Sequence, residues 1–295
     1  MTARPAIQGQ ADVAAPVVSR FAPSPTGRLH LGHAASAIRA HDLARLAGGQ
    51  FLLRIEDIDG TRSRPEHVEA ILADLHWLGL EWDGPVTFQS ARLDRYAAAL
   101  EKLKARGLVY PCFCTRAEIA AASLHAPHGA EPTYPGTCRA LTTSDLSRPH
   151  CWRLDMARAA EEAGPLDWHD EAAGRVEADP LAAGDVILAR KDAPASYHLA
   201  VTIDDAAQGV TDVVRGLDLF RATDVHRLLQ ALLGLPTPRY HHHPLLVGPD
   251  GVRLAKRHGS PTLEAMRQAG RDGPALANSL RAGGPPLELT PLNTR

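Results

Sequence analysis

The chain has 295 residues, with 32 lysines and arginines against 34 aspartates and glutamates, a formal charge of −2. That balance excludes a global basic field of the kind that advertises nucleic acid, although a local basic face would serve as well. Apolar residues make up 44% of the chain, enough for a full core in one large or two small domains. No apolar run approaches the ~18 residues of a membrane span. Residues 1–16 are small and polar, lack an apolar signal segment and read as a mobile extension. Four cysteines in such a chain point to a reducing, cytoplasmic setting, and to metal rather than disulfides.

Val17 and Val18 open a short strand, and Pro23 and Pro25 then forbid helix and stiffen an extended turn. Gly27 relaxes the turn further, and the Ala-rich, break-free run 34–47 reads as a helix. Strand, Pro/Gly turn and helix N-terminus together offer N–H groups and a positive dipole end to a phosphate. His30 and His33 stand where that helix begins, placed to donate hydrogen bonds to charge growing on a phosphate.

The apolar run 51–55 is a buried strand, and with 17–22 and the helix it predicts a parallel β-α-β unit with a right-handed crossover. Glu56, Asp57 and Asp59 follow at its carboxyl end, the edge where open α/β sheets take ligands. Such carboxylates suit an ammonium group or a ribose. Helices are predicted over 65–79, opened by Pro65 and closed by Gly79, and over 91–106, closed by Gly107. Both are read as packing elements.

Cys112, Cys114 and Cys138 fall within 27 residues of a Pro/Gly-rich stretch, the pattern of a small zinc-stapled subdomain. His125 or His128 would supply a fourth ligand, and Cys151 is also available. Residues 148–195 read as an irregular, partly β insert, with a strand and turn at 185–192. The run 196–205 reads as an apolar strand ending in Asp204 and Asp205. A further strand at 210–216 ends in Arg215 and Gly216, and a helix follows at 218–233. His241, His242 and His243 are adjacent, so they cannot all face one metal from a strand, and they read as a strand edge. Arg253, Lys256, Arg257 and His258 make a compact basic loop suited to phosphate.

These motifs carry a family resemblance. Residues 21–27, Phe-Ala-Pro-Ser-Pro-Thr-Gly, with His30-Leu-Gly-His33, resemble the His-Ile-Gly-His signature of class I aminoacyl-tRNA synthetases in its glutamyl form. Residues 52–59, 197–200, 204–205 and 214–218 continue the match in order, and 253–259 resembles the Lys-Met-Ser-Lys-Ser element. Arg253 stands for the first lysine of that element and Ala255 for its serine, leaving Lys256 as the signature lysine.

The resemblance implies an α/β, Rossmann-type parallel-sheet catalytic domain in two parts, 17–109 and 196–262. It implies an insert at 110–195 that carries the zinc-binding subdomain, and 263–295 is left as a short tail. It implies a glutamate pocket formed by Arg20, Phe21, Ala22, Pro23, Ser24, Glu56, Tyr197 and Arg215. In that pocket Arg20 or Arg215 would pair with a carboxylate and Glu56 would meet the α-ammonium. His30, Gly32, His33 and Lys256 would face ATP and its Mg²⁺. Only 35 residues follow Ser260, too few for a helical anticodon-binding domain. The chain therefore resembles the truncated paralogues, the glutamyl-Q tRNA(Asp) synthetase family. These activate glutamate without tRNA and attach it to queuosine at the wobble position of tRNA(Asp). That family implies Tyr134 as the fourth zinc ligand beside Cys112, Cys114 and Cys138, and a monomer.

Overall fold

The computed structural model describes residues 16–122, 134–141, 145–246 and 261–283. The predicted β-α-β unit is present. Strand β1 (Val18–Phe21) leads through the proline turn into helix α1 (Leu31–Leu46), and β2 (Gln50–Ile55) returns parallel to β1, with Arg20 opposite Leu52. The helix starts three residues earlier than predicted, because His30 caps it. Ala34, Ala37, Ala40 and Ala44 are fully buried, and their small side chains let α1 lie close on the sheet. Gly49 turns the chain into β2 where a Cβ would lie 1.9 Å from the Val17 carbonyl oxygen, so no other residue fits.

Helix α2 (Pro65–Trp77) and strand β3 (Thr87–Phe88) complete this sheet in the order β1-β2-β3. Helix α3 (Leu93–Ala105) follows a 3₁₀ turn. Strand β4 (Val109–Cys112) and helix α4 (Arg116–Ala122) enter the insert.

The stretch 148–195 is more regular than its sequence suggests. It holds β5 (Cys151–Leu154), α5 (Met156–Ala163), β6 (Asp167–Asp170), β7 (Gly174–Glu177) and β8 (Ile187–Ala189). Strands of three or four residues are too short to show a period, and the glycines and prolines between them imitate loop. Strands β4, β5 and β8 form an antiparallel sheet.

The expectation at 196–205 is overturned: the segment is helix α6 (Tyr197–Ala207). Leu199, Ala200, Val201, Thr202, Asp204 and Asp205 are all buried, so the helix is covered on most sides. A covered helix has no polar stripe and reads like a buried strand. Strand β9 (Asp212–Gly216), helix α7 (Ala222–Leu233) and strand β10 (Arg239–His243) follow. The second sheet runs β7-β6-β10-β9, so β10 is an inner strand rather than an edge, and only β7 is antiparallel to its neighbour. Thr211 draws the two parallel sheets together. Its N–H donates to the Val18 carbonyl at 2.9 Å, and its Oγ1 accepts from the Val18 N–H at 2.8 Å.

Helices α8 (Leu263–Gln268) and α9 (Gly273–Arg281) occupy the stretch expected to be a tail. Leu263, Met266, Leu276, Ala277 and Leu280 join the core under α1 and α2. The two helices are short, with nine residues at most, which left little periodicity to read. A second core gathers Tyr96, Leu100 and Leu103 of α3 against Leu199 of α6 and Leu228 and Leu229 of α7. Among the described residues no helix is long and apolar enough to cross a membrane.

Candidate active site

A cavity of about 430 Å³ opens at the carboxyl ends of β1, β2 and β9. Arg20 and Phe21 end β1, and Ala22, Pro23 and Ser24 continue into the turn. Glu56 follows β2, and its N–H donates to the Pro23 carbonyl at 3.0 Å, which fixes the turn over the strand. Tyr197 opens α6, and Arg215 comes from β9. His30, Gly32 and His33 line the same cavity from the start of α1. The structure thus brings together the predicted substrate-facing residues except Lys256, which lies outside the described residues with Arg253 and Ala255, and except Asp57 and Asp59. These two do not line this cavity and are engaged by Ser90 and by Thr61, Arg62 and Arg190 respectively.

The two histidines cap α1 reciprocally. His30 Nδ1 accepts from the Gly32 N–H at 3.1 Å, and His33 Nδ1 accepts from the His30 N–H at 3.2 Å. An imidazole that accepts at Nδ1 carries its proton on Nε2 when neutral, so the backbone sets both tautomers. The rings lie 3.8 Å apart. Gly32 is required by this arrangement, since a Cβ there would sit 2.9 Å from His30 Cε1.

The two arginines differ in what surrounds them. Arg20 grips Asp205 with Nε at 2.9 Å and Nη2 at 3.2 Å, and Arg54 Nη1 meets the same carboxylate at 2.8 Å. Burial raises the Asp205 carboxyl, but Arg20 and Arg54 outweigh it and hold the group below its ordinary value. Arg215 makes hydrogen bonds to neutral groups. Nε donates to His242 Nε2 at 3.1 Å, Nη1 reaches Tyr197 Oη at 3.3 Å and His226 Nδ1 at 3.2 Å, and Nη2 donates to Thr223 Oγ1 at 2.6 Å. Among the described residues no carboxylate is hydrogen-bonded to Arg215, which presents a cation to the cavity with an anion as its complement.

Glu56 lies 3.6 Å from Arg54 Nη2. Burial pushes its carboxyl up to about 7, against the pull of Arg54 and Arg20. A cation arriving beside Glu56 would restore the carboxylate. Sequence reasoning did not assign Arg54, Asp205, Thr223, His226 or His242 to the site. Arg54 was detectable as a charge inside an apolar strand, and Asp205 as a carboxylate ending an apolar run.

A second cavity of about 1130 Å³ shares Ser24, Glu56 and Tyr197 with the first. Arg62, Arg116, Arg153 and Arg190 line it beside Glu56, Asp59 and Asp185, with Arg62 and Arg190 paired to Asp59. Tyr134 and Ile119 of the insert close its far side.

In the insert, the sulfurs of Cys112, Cys114 and Cys138 lie within 4.8 Å of one another, a spacing that one metal ion can bridge. Cys114 Sγ is 3.5 Å from Cys138 Sγ and 3.7 Å from Tyr134 Oη. Tyr134 Oη also accepts from the Cys138 N–H at 2.8 Å, and the Arg153 guanidinium lies 3.9 Å over the Tyr134 ring. Cys151 lies beside the cluster, its thiol 3.5 Å from the Cys112 carbonyl oxygen and also interacting with the Cys112 thiol. His125 and His128 lie outside the described residues.

A parallel sheet with a histidine-capped turn and a charged pocket at its carboxyl edge is the place where open α/β folds take ligands. Residues 16–288 match the family described as tRNA synthetases class I (E and Q), catalytic domain, and the chain belongs to that family. Within it, the Glutamyl-Q tRNA(Asp) synthetase of Rhodobacter capsulatus is 51% identical over 275 residues, covering 86% of this chain and 96% of that protein. The Glutamyl-Q tRNA(Asp) synthetase of Symbiobacterium thermophilum is 47% identical, covering 85% and 81%. A solved glutamate tRNA ligase from Elizabethkingia meningosepticum, in complex with its amino acid, superposes with a TM-score of 0.75 at 26% identity. That match covers 90% of this chain, which spans 60% of the ligase's length.

Proposed function

We propose that this chain activates L-glutamate with ATP, independently of tRNA, and transfers it to queuosine at the wobble position of tRNA(Asp). The observation that carries the reading of the pocket is the charge arrangement: among the described residues Arg215 is hydrogen-bonded to neutral groups, with Glu56 lining the same cavity. Glutamate matches both poles. Its side-chain carboxylate pairs with Arg215, and its α-ammonium meets Glu56 and stabilises that group as a carboxylate. Arg20, already bound by Asp205, walls the pocket with Phe21, Ala22, Pro23, Ser24 and Tyr197. The acceptor follows the relatives' names, a cytoplasmic place follows from tRNA as the substrate, and the arginines of the second cavity give an RNA segment a way to the acyl group.

In the first step the α-carboxylate of glutamate attacks the α-phosphorus of ATP and pyrophosphate leaves. In the second a queuosine hydroxyl attacks the acyl carbon and AMP leaves. His30 and His33 donate from Nε2 to the phosphates, and Lys256 supplies a further cation from the basic loop. Mg²⁺ accompanies ATP and offsets phosphate charge. In the insert, Cys112, Cys114, Cys138 and Tyr134 would hold one structural Zn²⁺, the donor set being three thiols and a phenol oxygen already turned to them. Zinc there would tie the insert together and take no part in the chemistry.

The test is ATP-dependent transfer of labelled glutamate to tRNA(Asp) with and without queuosine, beside tRNA(Glu). Label only on queuosine-bearing tRNA(Asp), surviving periodate oxidation of the terminal ribose, is expected. Label on tRNA(Glu) would make the chain an ordinary aminoacylating core.

A further inference from the structure

We propose that His242 and His226 are positioning residues that hold Arg215 in its substrate-facing orientation as a pair of neutral acceptors, with Asp170 fixing the tautomer of His242. The inference rests on the reading that Arg215 takes the substrate carboxylate. It goes beyond that reading by naming what keeps the guanidinium in place.

A guanidinium has donors and no acceptor, so whatever it touches must accept. His242 meets Arg215 Nε through Nε2, and that nitrogen must therefore be bare. The proton of neutral His242 then sits on Nδ1, 2.8 Å from Asp170 Oδ2. Asp170 has no freedom to change this. Oδ2 also accepts from the His242 N–H at 3.1 Å, and Oδ1 accepts from the Ala172 and Ala173 N–H groups at 3.0 and 2.9 Å. With donors on both oxygens, Asp170 is held as a carboxylate and can only accept.

The same logic runs outward on the other side. Arg215 Nη1 donates to His226 Nδ1, which leaves the His226 proton on Nε2, directed at His198 Nδ1 at 3.1 Å. One carboxylate and one arginine thus dictate the tautomers along the chain Asp170–His242–Arg215–His226–His198. Asp170, His242, Arg215 and His226 are all buried, and His242 is boxed by Trp168, Phe220 and Tyr240. Burial and the nearby Arg215 hold the His226 imidazole well below its usual range, and hold His242 near 4. Both rings therefore remain acceptors at neutral pH. Neutral acceptors orient the guanidinium without cancelling its charge, whereas a carboxylate in either place would bind it as Asp205 binds Arg20.

The experiment uses the full-length protein in glutamate-dependent ATP–pyrophosphate exchange. His242→Phe keeps a ring in the aromatic box and removes the acceptor. It is expected to raise the KM for glutamate about tenfold or more, the size of one hydrogen bond to a charged group. The KM for ATP should stay within about twofold, since the nucleotide side of the cavity is untouched. His242→Gln sets an amide oxygen near the place of Nε2 and should recover most of the loss. A glutamate KM unchanged in His242→Phe while Arg215→Ala raises it would overturn the positioning role and leave the pocket reading intact. If Arg215→Ala leaves the glutamate KM unchanged, the pocket reading fails. Histidine ¹⁵N spectra of the unmodified protein judge the network independently of activity. The expected result is His242 protonated at Nδ1 and His226 at Nε2, and the opposite tautomer at His242 overturns the proposal.

Discussion

Replacing Gly32 by alanine should separate catalysis from stability. The new Cβ would stand 2.9 Å from His30 Cε1 and 3.1 Å from Nδ1, inside the ~3.5 Å of ordinary carbon contact. The ring must swing out, which breaks the bond from the Gly32 N–H to Nδ1 and the tautomer that bond enforces. Loss of a helix cap costs about 1 kcal/mol. Alanine in place of glycine in a helix returns up to about 1 kcal/mol. The two nearly cancel, so the melting temperature should move by no more than about 4 °C. The displaced His30 is expected to slow exchange at least ~100-fold, the cost of losing one preorganised donor to a transition state. Glutamate-dependent ATP–pyrophosphate exchange and a thermal melt on the same preparation provide both numbers. Full exchange activity in a folded Gly32→Ala protein would refute the assignment of His30 to the nucleotide. A large fall in melting temperature would refute the cancellation.

Three further outcomes are expected. His242 titrates near 4 in the fold against about 6.5 in an unfolded chain. The native state therefore binds fewer protons between those values, and stability should fall as pH drops from 6.5 to 4, by roughly 3 kcal/mol for this group. The groups facing it are Asp170 on β6, Arg215 on β9, His226 and Thr223 on α7 and its neighbour His243. Urea midpoints that are flat from pH 7 to 4.5 would contradict the depressed value. Tyr96→Phe removes the hydroxyl that donates at 2.6 Å to Oδ2 of the buried Asp204, which also accepts from buried Gln89 and half-buried Arg92, and should cost about 1–3 kcal/mol in chemical unfolding. Cys114→Ser should release zinc from the insert, read by metal analysis of the purified protein. Absence of zinc in the unmutated protein would dispose of the metal assignment.

The predicted β-α-β unit and its histidine turn were readable because local chemistry determines them. Pro23 and Pro25 allow few backbone conformations, and the run from Ala34 onward has no breaker. Helix α6 was misread because burial removes the polar face that marks a helix, leaving Leu199, Ala200 and Val201 as an apolar string. The capping of α1 by His30 escaped because histidine is not a usual cap, and it works only with Gly32 beneath the ring. Apart from Tyr197, placed in the same pocket by the resemblance, the partners of Arg215 and the network behind them could not be read. Asp170 and His242 are separated by 72 positions, and nothing local to either residue points to the other. The three adjacent histidines diverge on β10, with His241 to Asp212, His242 to Asp170 and His243 to Ser36.

The bond from Arg20 to Asp205 spans 185 positions, and that from Arg54 to Gln208 spans 154. Closing loops of that length delays such contacts relative to local ones. A growing chain that has left the ribosome only as far as β8 would hold Arg20 and Arg54 before the Asp205 carboxylate exists to receive them. Arg54 is completely buried in the finished protein, and until α6 emerges it would have Glu56 at 3.6 Å but not the closer Asp205 carboxylate, found at 2.8 Å, to offset the penalty of a dry interior. The first half of the sheet would therefore stay open to water until α6 emerges. The pocket and the core beneath it would close in the same event, and glutamate affinity would appear only with the completed fold.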